Sequence, residues 1–92
     1  MTTYFFFGKY TQDSIGHISS QRTKEARSVI EGNGGKLIGG YALLGEHDLV
    51  LIVDFPSMEQ AMKTSIALAK LVGVSFSTSP AVSMEDFDKL VG

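Results

Sequence analysis

The residues of this 92-residue chain whose chemistry could reach beyond packing are two histidines and a few nearby acids. His47 lies between Glu46 and Asp48, at the mouth of an apolar stretch. Imidazole titrates near neutrality and binds metals through either nitrogen, so His47 beside Asp48 could supply a general base, a proton shuttle or a metal ligand. Neighbours along a strand project to opposite faces, which sends the two side chains to different targets unless the turn twists them together. A structural reading competes: Gly45 supplies turn geometry, Asp48 bonds turn amides and His47 packs over a sheet edge. His17, between Ile15 and Ile18, could face a cavity between helix and sheet or serve as a structural histidine. For a metal, His17, Glu46, His47 and Asp48 form the one cluster worth naming, and it lacks a ligand spacing such as His-Glu-x-x-His. No metal and no organic cofactor is therefore expected.

These residues need elements to hold them. Leu49-Val50-Leu51-Ile52-Val53 is an unbroken apolar run between Asp48 and Asp54. A strand wetted on one face alternates, so this one is expected to be buried on both. Thr3 to Tyr10 reads as a first strand rich in aromatics, followed by a short helical turn and a helix over about Gln21 to Glu31. Gly32-Asn33-Gly34-Gly35 suits a helix cap and turn. It follows a helix and precedes a strand, the reverse of the order that presents amides to phosphate. The second strand runs over about Lys36 to Leu44, with a bulge expected at Gly39-Gly40. Gly45-Glu46-His47 connects it to the third, Asp48 to Phe55, as an antiparallel hairpin.

Pro56 closes the third strand, and Ser57-Met58-Glu59-Gln60 reads as a capping box in which the Ser57 hydroxyl and the Gln60 side chain both satisfy free amides. Met58, Ala61, Met62, Ser65, Ile66, Ala69 and Val72 then share one helix face. Val74, Phe76 and Thr78 alternate with serines in a half-buried edge strand ended by Pro80. A last helical turn from Ser83 has Phe87, Leu90 and Val91 to dock it. The order β-α-β-β-α-β is the α+β, ferredoxin-like arrangement around a four-stranded antiparallel sheet. One domain over residues 1–92 is expected, with no linker, repeat or low-complexity segment.

Tyr4, Phe6, Gly8 and Tyr10 share one parity of the first strand, and Leu37, Gly39, Tyr41 and Leu43 share one of the second. Set against a helix carrying Met58, Met62 and Ile66, they could enclose an apolar cavity with polar tips, the constitution of a small-molecule site. A filled core is the alternative, with the methionines as gap-fillers. The ligand-binding candidates are accordingly His47, Asp48, Tyr41, His17 and Tyr10.

Composition narrows the partners. A net charge of −2 with acids and bases interspersed leaves no basic stripe for phosphates, so nucleic-acid binding is not expected. Cysteine is absent, which excludes disulfides and thiolate chemistry and fits a reducing cytoplasm. The N-terminus lacks the features of a signal peptide, and no stretch approaches a membrane span.

Leu44-Gly45-Glu46-His47-Asp48 ahead of an apolar strand, then Pro56, a capped helix and Glu85-Asp86-Phe87, resembles the GYD-domain family, named for a Gly-Tyr-Asp signature. Gly8-Lys9-Tyr10-Thr11 and Gly34-Gly35-Lys36 extend the likeness over nearly the whole chain. The resemblance implies a dimeric α/β barrel, in which two four-stranded sheets pack face to face across a two-fold axis; it implies no settled activity. His47 stands where the signature has Tyr, so a role requiring a phenol does not carry over.

Three functions remain open: a homo-oligomeric module binding a small apolar or aromatic compound; a barrel enzyme of monooxygenase or isomerase type, using His47, Asp48 or His17 for proton transfer; and a regulatory or structural oligomerisation domain without ligand. The partner expected from the residues themselves is a second copy. Leu49, Leu51, Val53 and Phe55 suit the helices, while Val50 and Ile52 point to the opposite face. Exposed together with one parity of the first strand, they would form a patch larger than soluble monomers carry.

Overall fold

The computed structural model describes residues 1–16 and 19–92, with position 13 described by its backbone alone. The elements are β1 (Thr2–Tyr10), α1 (Gln12–Ile15), α2 (Ser20–Gly32), β2 (Lys36–Ala42), β3 (Leu49–Phe55), α3 (Met58–Val72), β4 (Val74–Ala81) and α4 (Met84–Val91). The sheet has the order β2-β3-β1-β4 and every pairing is antiparallel. This is the ferredoxin-like α+β arrangement expected from the element order. No helix among the described residues is long and apolar enough to cross a membrane.

Local chemistry sets the boundaries. Ser19 caps α2 by accepting from the Arg22 N–H, and Ser57 caps α3 by accepting from the Gln60 N–H. Only half of the expected capping box forms at α3. The Gln60 side chain bonds the Ser57 hydroxyl rather than a helix-start amide, and its Nε2 reaches across to donate to the Asn33 carbonyl at 3.0 Å. It thereby ties the end of α2 to the start of α3. Gly34 takes φ +84° in the turn after α2, a conformation costly for a residue with a Cβ.

The two faces of the sheet differ. Alternation along β1 puts Tyr4 and Phe6 among Ile30 of α2, Ala61 and Leu68 of α3, and Val53 and Phe55 of β3, which together form the core. Cross-strand partners share a face, so Phe5 goes with Ile52, Phe7 with Val50 and Thr3 with Asp54 on the side away from α2 and α3, the open face. There Thr3 Oγ1 donates to Asp54 Oδ1 at 2.6 Å. Ser77 and Ser79 of β4 extend this open face toward the edge by their pairing with Phe7 and Phe5.

Several expectations are corrected. The buried positions of α3 are Ala61, Thr64 and Leu68, while Met58, Met62 and Ile66 are more than half exposed. Small residues let α3 lie close on the sheet, and the Thr64 hydroxyl donates to the Gln60 carbonyl at 2.7 Å, so its burial leaves no orphan group. Strand β2 stops at Ala42, and its register shift falls between Leu37 and Gly39, one residue before the glycine pair. That extra residue splits the expected parity set, pairing Leu37 with Val53 on the helix side and Tyr41 with Val50 on the open side. Strand β4 continues through Pro80, which pairs with Tyr4 and, as an edge residue, need donate no hydrogen bond. Helix α4 buries none of its residues, so Phe87, Leu90 and Val91 do not dock it. Val50, expected to be exposed in a single copy, is only 6% exposed between its neighbours Phe7 and Tyr41.

Candidate functional site

The hairpin between β2 and β3 carries the signature residues, and hydrogen bonds define their roles. The Asp48 N–H donates to the Gly8 carbonyl, and the Asp48 carbonyl accepts from Leu43, both at 2.8 Å. Its carboxylate Oδ2 accepts from the Tyr10 N–H at 2.8 Å. Asp48 therefore fastens the end of β1 to the hairpin, with an amide of β1 in place of the turn amide expected for it. The charge makes this bond stronger than a neutral one. His47 instead lays its ring against Phe7, with centroids 5.0 Å apart and an interplanar angle of 32°. The two neighbours thus engage different partners. Lys9 Nζ donates to the Glu46 carbonyl and closes the same corner.

Tyr10 lies on the other side of the sheet. A cavity of about 90 Å³ opens there beneath α2, floored by Leu49, Leu51, Val74 and Phe76 and walled by Leu68 of α3. A small residue on the helix accounts for the room: Ala26 offers only a methyl from above. A Cβ on Gly8 would meet Leu49, Phe76 and Val74 at 2.8–2.9 Å, so those three side chains converge over the glycine. The cavity runs into an open cleft of about 390 Å³ that shares Tyr10, Thr23 and Leu51 with it and continues along β2 past the bulge.

The mouth is polar and cationic. Ser19, Arg22 and Thr23 of α2 border the cavity, and Arg27 borders the cleft. The Arg22 guanidinium sits 5.6 Å from the centroid of the Tyr10 ring and donates through Nη1 to the Ser14 carbonyl at 2.8 Å. Both contacts hold its planar fork in place. No acid occupies the first turn of α2, so the positive end of the helix dipole is uncompensated on this side.

Of the candidates from sequence, the structure brings Tyr10 to the cavity mouth, while Tyr41, 65% exposed, only borders the outer cleft along β2, its pairing with Val50 turning its side chain to the open side. His47 and Asp48 border neither, and His17 lies outside the described residues. Met58, Met62 and Ile66 line a separate apolar groove with Tyr4 and Pro80, on the far side of α3. No group of three or more potential metal ligands occurs among the described residues. Arg22 and Thr23 were not singled out by sequence, although their spacing from Ala26, four and three residues, puts all three on one helix face. A methyl-sized residue flanked by such neighbours on a sheet-facing helix is the signal that could have found the cavity.

The fold matches a known class of small α+β domains. The chain belongs to the GYD family: the GYD domain model matches residues 4–91. Among solved structures, it is similar to the leucine response regulatory protein of Mycobacterium tuberculosis, with TM-score 0.60 and 12% identity over 90% of this chain and 51% of that one. The feast or famine regulatory protein of M. tuberculosis, complexed with L-methionine, gives TM-score 0.63 and 12% identity over 91% of this chain and 52% of that one. An AsnC family transcriptional regulator from Agrobacterium tumefaciens gives 0.60 and 15% over 90% and 51%. This chain therefore spans about half the length of these structures, and identities so low establish the fold alone. Among curated proteins no match was found.

Proposed function

We propose that this chain is a homo-oligomeric module that binds a small apolar or aromatic molecule beneath α2, with Tyr10 at the mouth. The observation that carries this reading is the apolar cavity itself, lined by Leu51, Leu68 and Phe76 under a polar rim. Buried apolar walls with a few placed polar groups are the usual makeup of a ligand site. A structural neighbour complexed with L-methionine adds support for a small ligand on this fold.

In the same proposal, two copies mate through the open sheet face. Phe5, Phe7 and Ile52 are half-buried there, on the face away from α2 and α3, and a two-fold stacking of sheets removes them from water. His47, packed on Phe7, belongs to that mating face. Absence of cysteine supports residence in the cytoplasm. The enzyme alternative uses His47, Asp48 or His17 for proton transfer; the separate partners of His47 and Asp48 weigh against the two acting on one target, and His17 lies outside the described residues.

Native mass spectrometry of freshly purified protein at micromolar concentration tests both halves of the proposal together. The expected result is a dimer carrying a retained small molecule, which is lost when Ala26→Met fills the cavity. A stable monomer overturns the oligomer, and a retained mass untouched by Ala26→Met overturns the site.

A further inference from the structure

We propose that the molecule held beneath α2 is an organic acid with an apolar tail, its carboxylate at Arg22 and its tail against Leu51, Leu68 and Phe76. This rests on the cavity reading above and adds the chemistry of the ligand. The walls specify the tail: aliphatic and aromatic carbons, with the Arg22 guanidinium the sole charge on the cavity lining among the described residues. The rim specifies the head. Along the cavity and its continuous cleft the charged residues are Arg22 and Arg27, with no acid among the described residues that line either. A chain of net charge −2 thus presents a purely cationic entrance at this one opening.

Arg22 is suited to a carboxylate by more than its sign. Stacking on Tyr10 and the bond to the Ser14 carbonyl fix the guanidinium before any ligand arrives, so little side-chain freedom is lost on binding. One of its five N–H donors is taken by Ser14, which leaves enough of the fork to meet a planar acid group. The half-buried position weakens competition from water. An amine at the same place would face two like charges, and an alcohol would forfeit the charge-assisted bond.

The test titrates the intact protein with hexanoate, 1-hexanol and hexylamine, three six-carbon probes differing in the head group, and follows amide NMR shifts near Leu51, Leu68 and Phe76. Hexanoate should bind about tenfold or more tighter than hexanol, the ratio one charged hydrogen bond confers, and hexylamine weakest. Arg22→Gln, which removes the charge and the guanidinium fork while keeping a polar end on the aliphatic stem, should erase the advantage of hexanoate and leave hexanol unchanged. Thermal unfolding followed by circular dichroism confirms that the variant is folded, and Arg22→Lys, expected to retain part of the preference, provides a second reading should Arg22→Gln unfold. If hexanol matches hexanoate, or hexanoate binds Arg22→Gln and Arg22→Lys as well as wild type, the acid is wrong while the cavity stands. If no probe shifts these signals, the cavity reading fails and the inference with it.

Discussion

Strand β1 carries the same kind of residue to both sides of the sheet, and the two sides treat it differently. Tyr4 and Phe6 are sealed under α2 and α3, whereas Phe5 and Phe7, one residue along in each case, are half-buried and cover mostly each other, with ring centroids 6.0 Å apart. On the helix side Phe6 also meets Phe55 and Phe76 at 6.2 and 6.1 Å. Hydrophobicity alone therefore does not decide what a position does here. The layer above it does: a helix layer fixes the core and, where α2 offers only Ala26, leaves a cavity. The open layer leaves an aromatic surface.

The sharpest way to break that contrast is to truncate one aromatic from each side. Phe6→Ala should cost about 3–5 kcal/mol, since it removes a fully buried ring from the centre of the core. Domains of this size hold roughly 5–15 kcal/mol in all, so the variant should lose a large share of its stability and unfold at a markedly lower denaturant concentration. Phe5→Ala should leave the unfolding midpoint of a single copy nearly unchanged and act on association instead. Chemical denaturation at two protein concentrations checks the pair. Equal losses for both at low concentration would show that the two faces are not distinct in the way described.

Much of this contrast was legible in sequence. The parity of the apolar run in β3 is legible in the sequence: Leu51, Val53 and Phe55 do face the helices, whereas Ile52 on the open face is half-buried in a single copy. Two physical effects hid the rest. Hydropathy ranks methionine and isoleucine above alanine and threonine, so α3 was read with its Met58-Met62-Ile66 stripe inward; close approach to the sheet selects Ala61 and Thr64 instead. A single bulged residue in β2 reverses parity beyond it, and alternation counted along the chain could not place that residue well enough to tell which side Tyr41 takes. The sequence leaves a cavity beside the methionines and a filled core as alternatives; the cavity lies beneath Ala26 instead. Its arginine rim depends on how α2 lies across the strands, which no local pattern encodes.

The open face can be tested directly by placing a charge on it. Ile52 is the better position than Val50, because Val50 is already buried in one copy and an acid there would damage the fold before any partner arrived. Ile52→Asp should bury an unpaired carboxylate only when two sheets meet. Association should weaken by about a hundredfold or more, roughly 3 kcal/mol. Sedimentation velocity across micromolar concentrations should show the wild type as a dimer and Ile52→Asp as a monomer, or as unfolded chain if the fold depends on the partner. An undisturbed dimer in the variant would remove the open face from the interface.

The smallest effect is expected at the residue that looks most chemical. His47 makes no side-chain hydrogen bond among the described residues, and its defined contact is the tilted ring of Phe7. An aromatic pair of this kind contributes about 0.5–1.5 kcal/mol beyond its area, and a half-buried one falls at the low end. His47→Ala should therefore leave the fold intact and cost under about 1 kcal/mol in one copy, whereas His47→Tyr, which restores the family signature residue, should keep the stacking on Phe7 and cost less still. If the open face mates, the alanine variant should also loosen the dimer by several-fold without changing ligand affinity beneath α2, because the sheet separates the two. A drop in ligand binding equal to that of Arg22→Gln would instead mean that His47 belongs to the binding site, and the division of labour between the two faces would have to be redrawn.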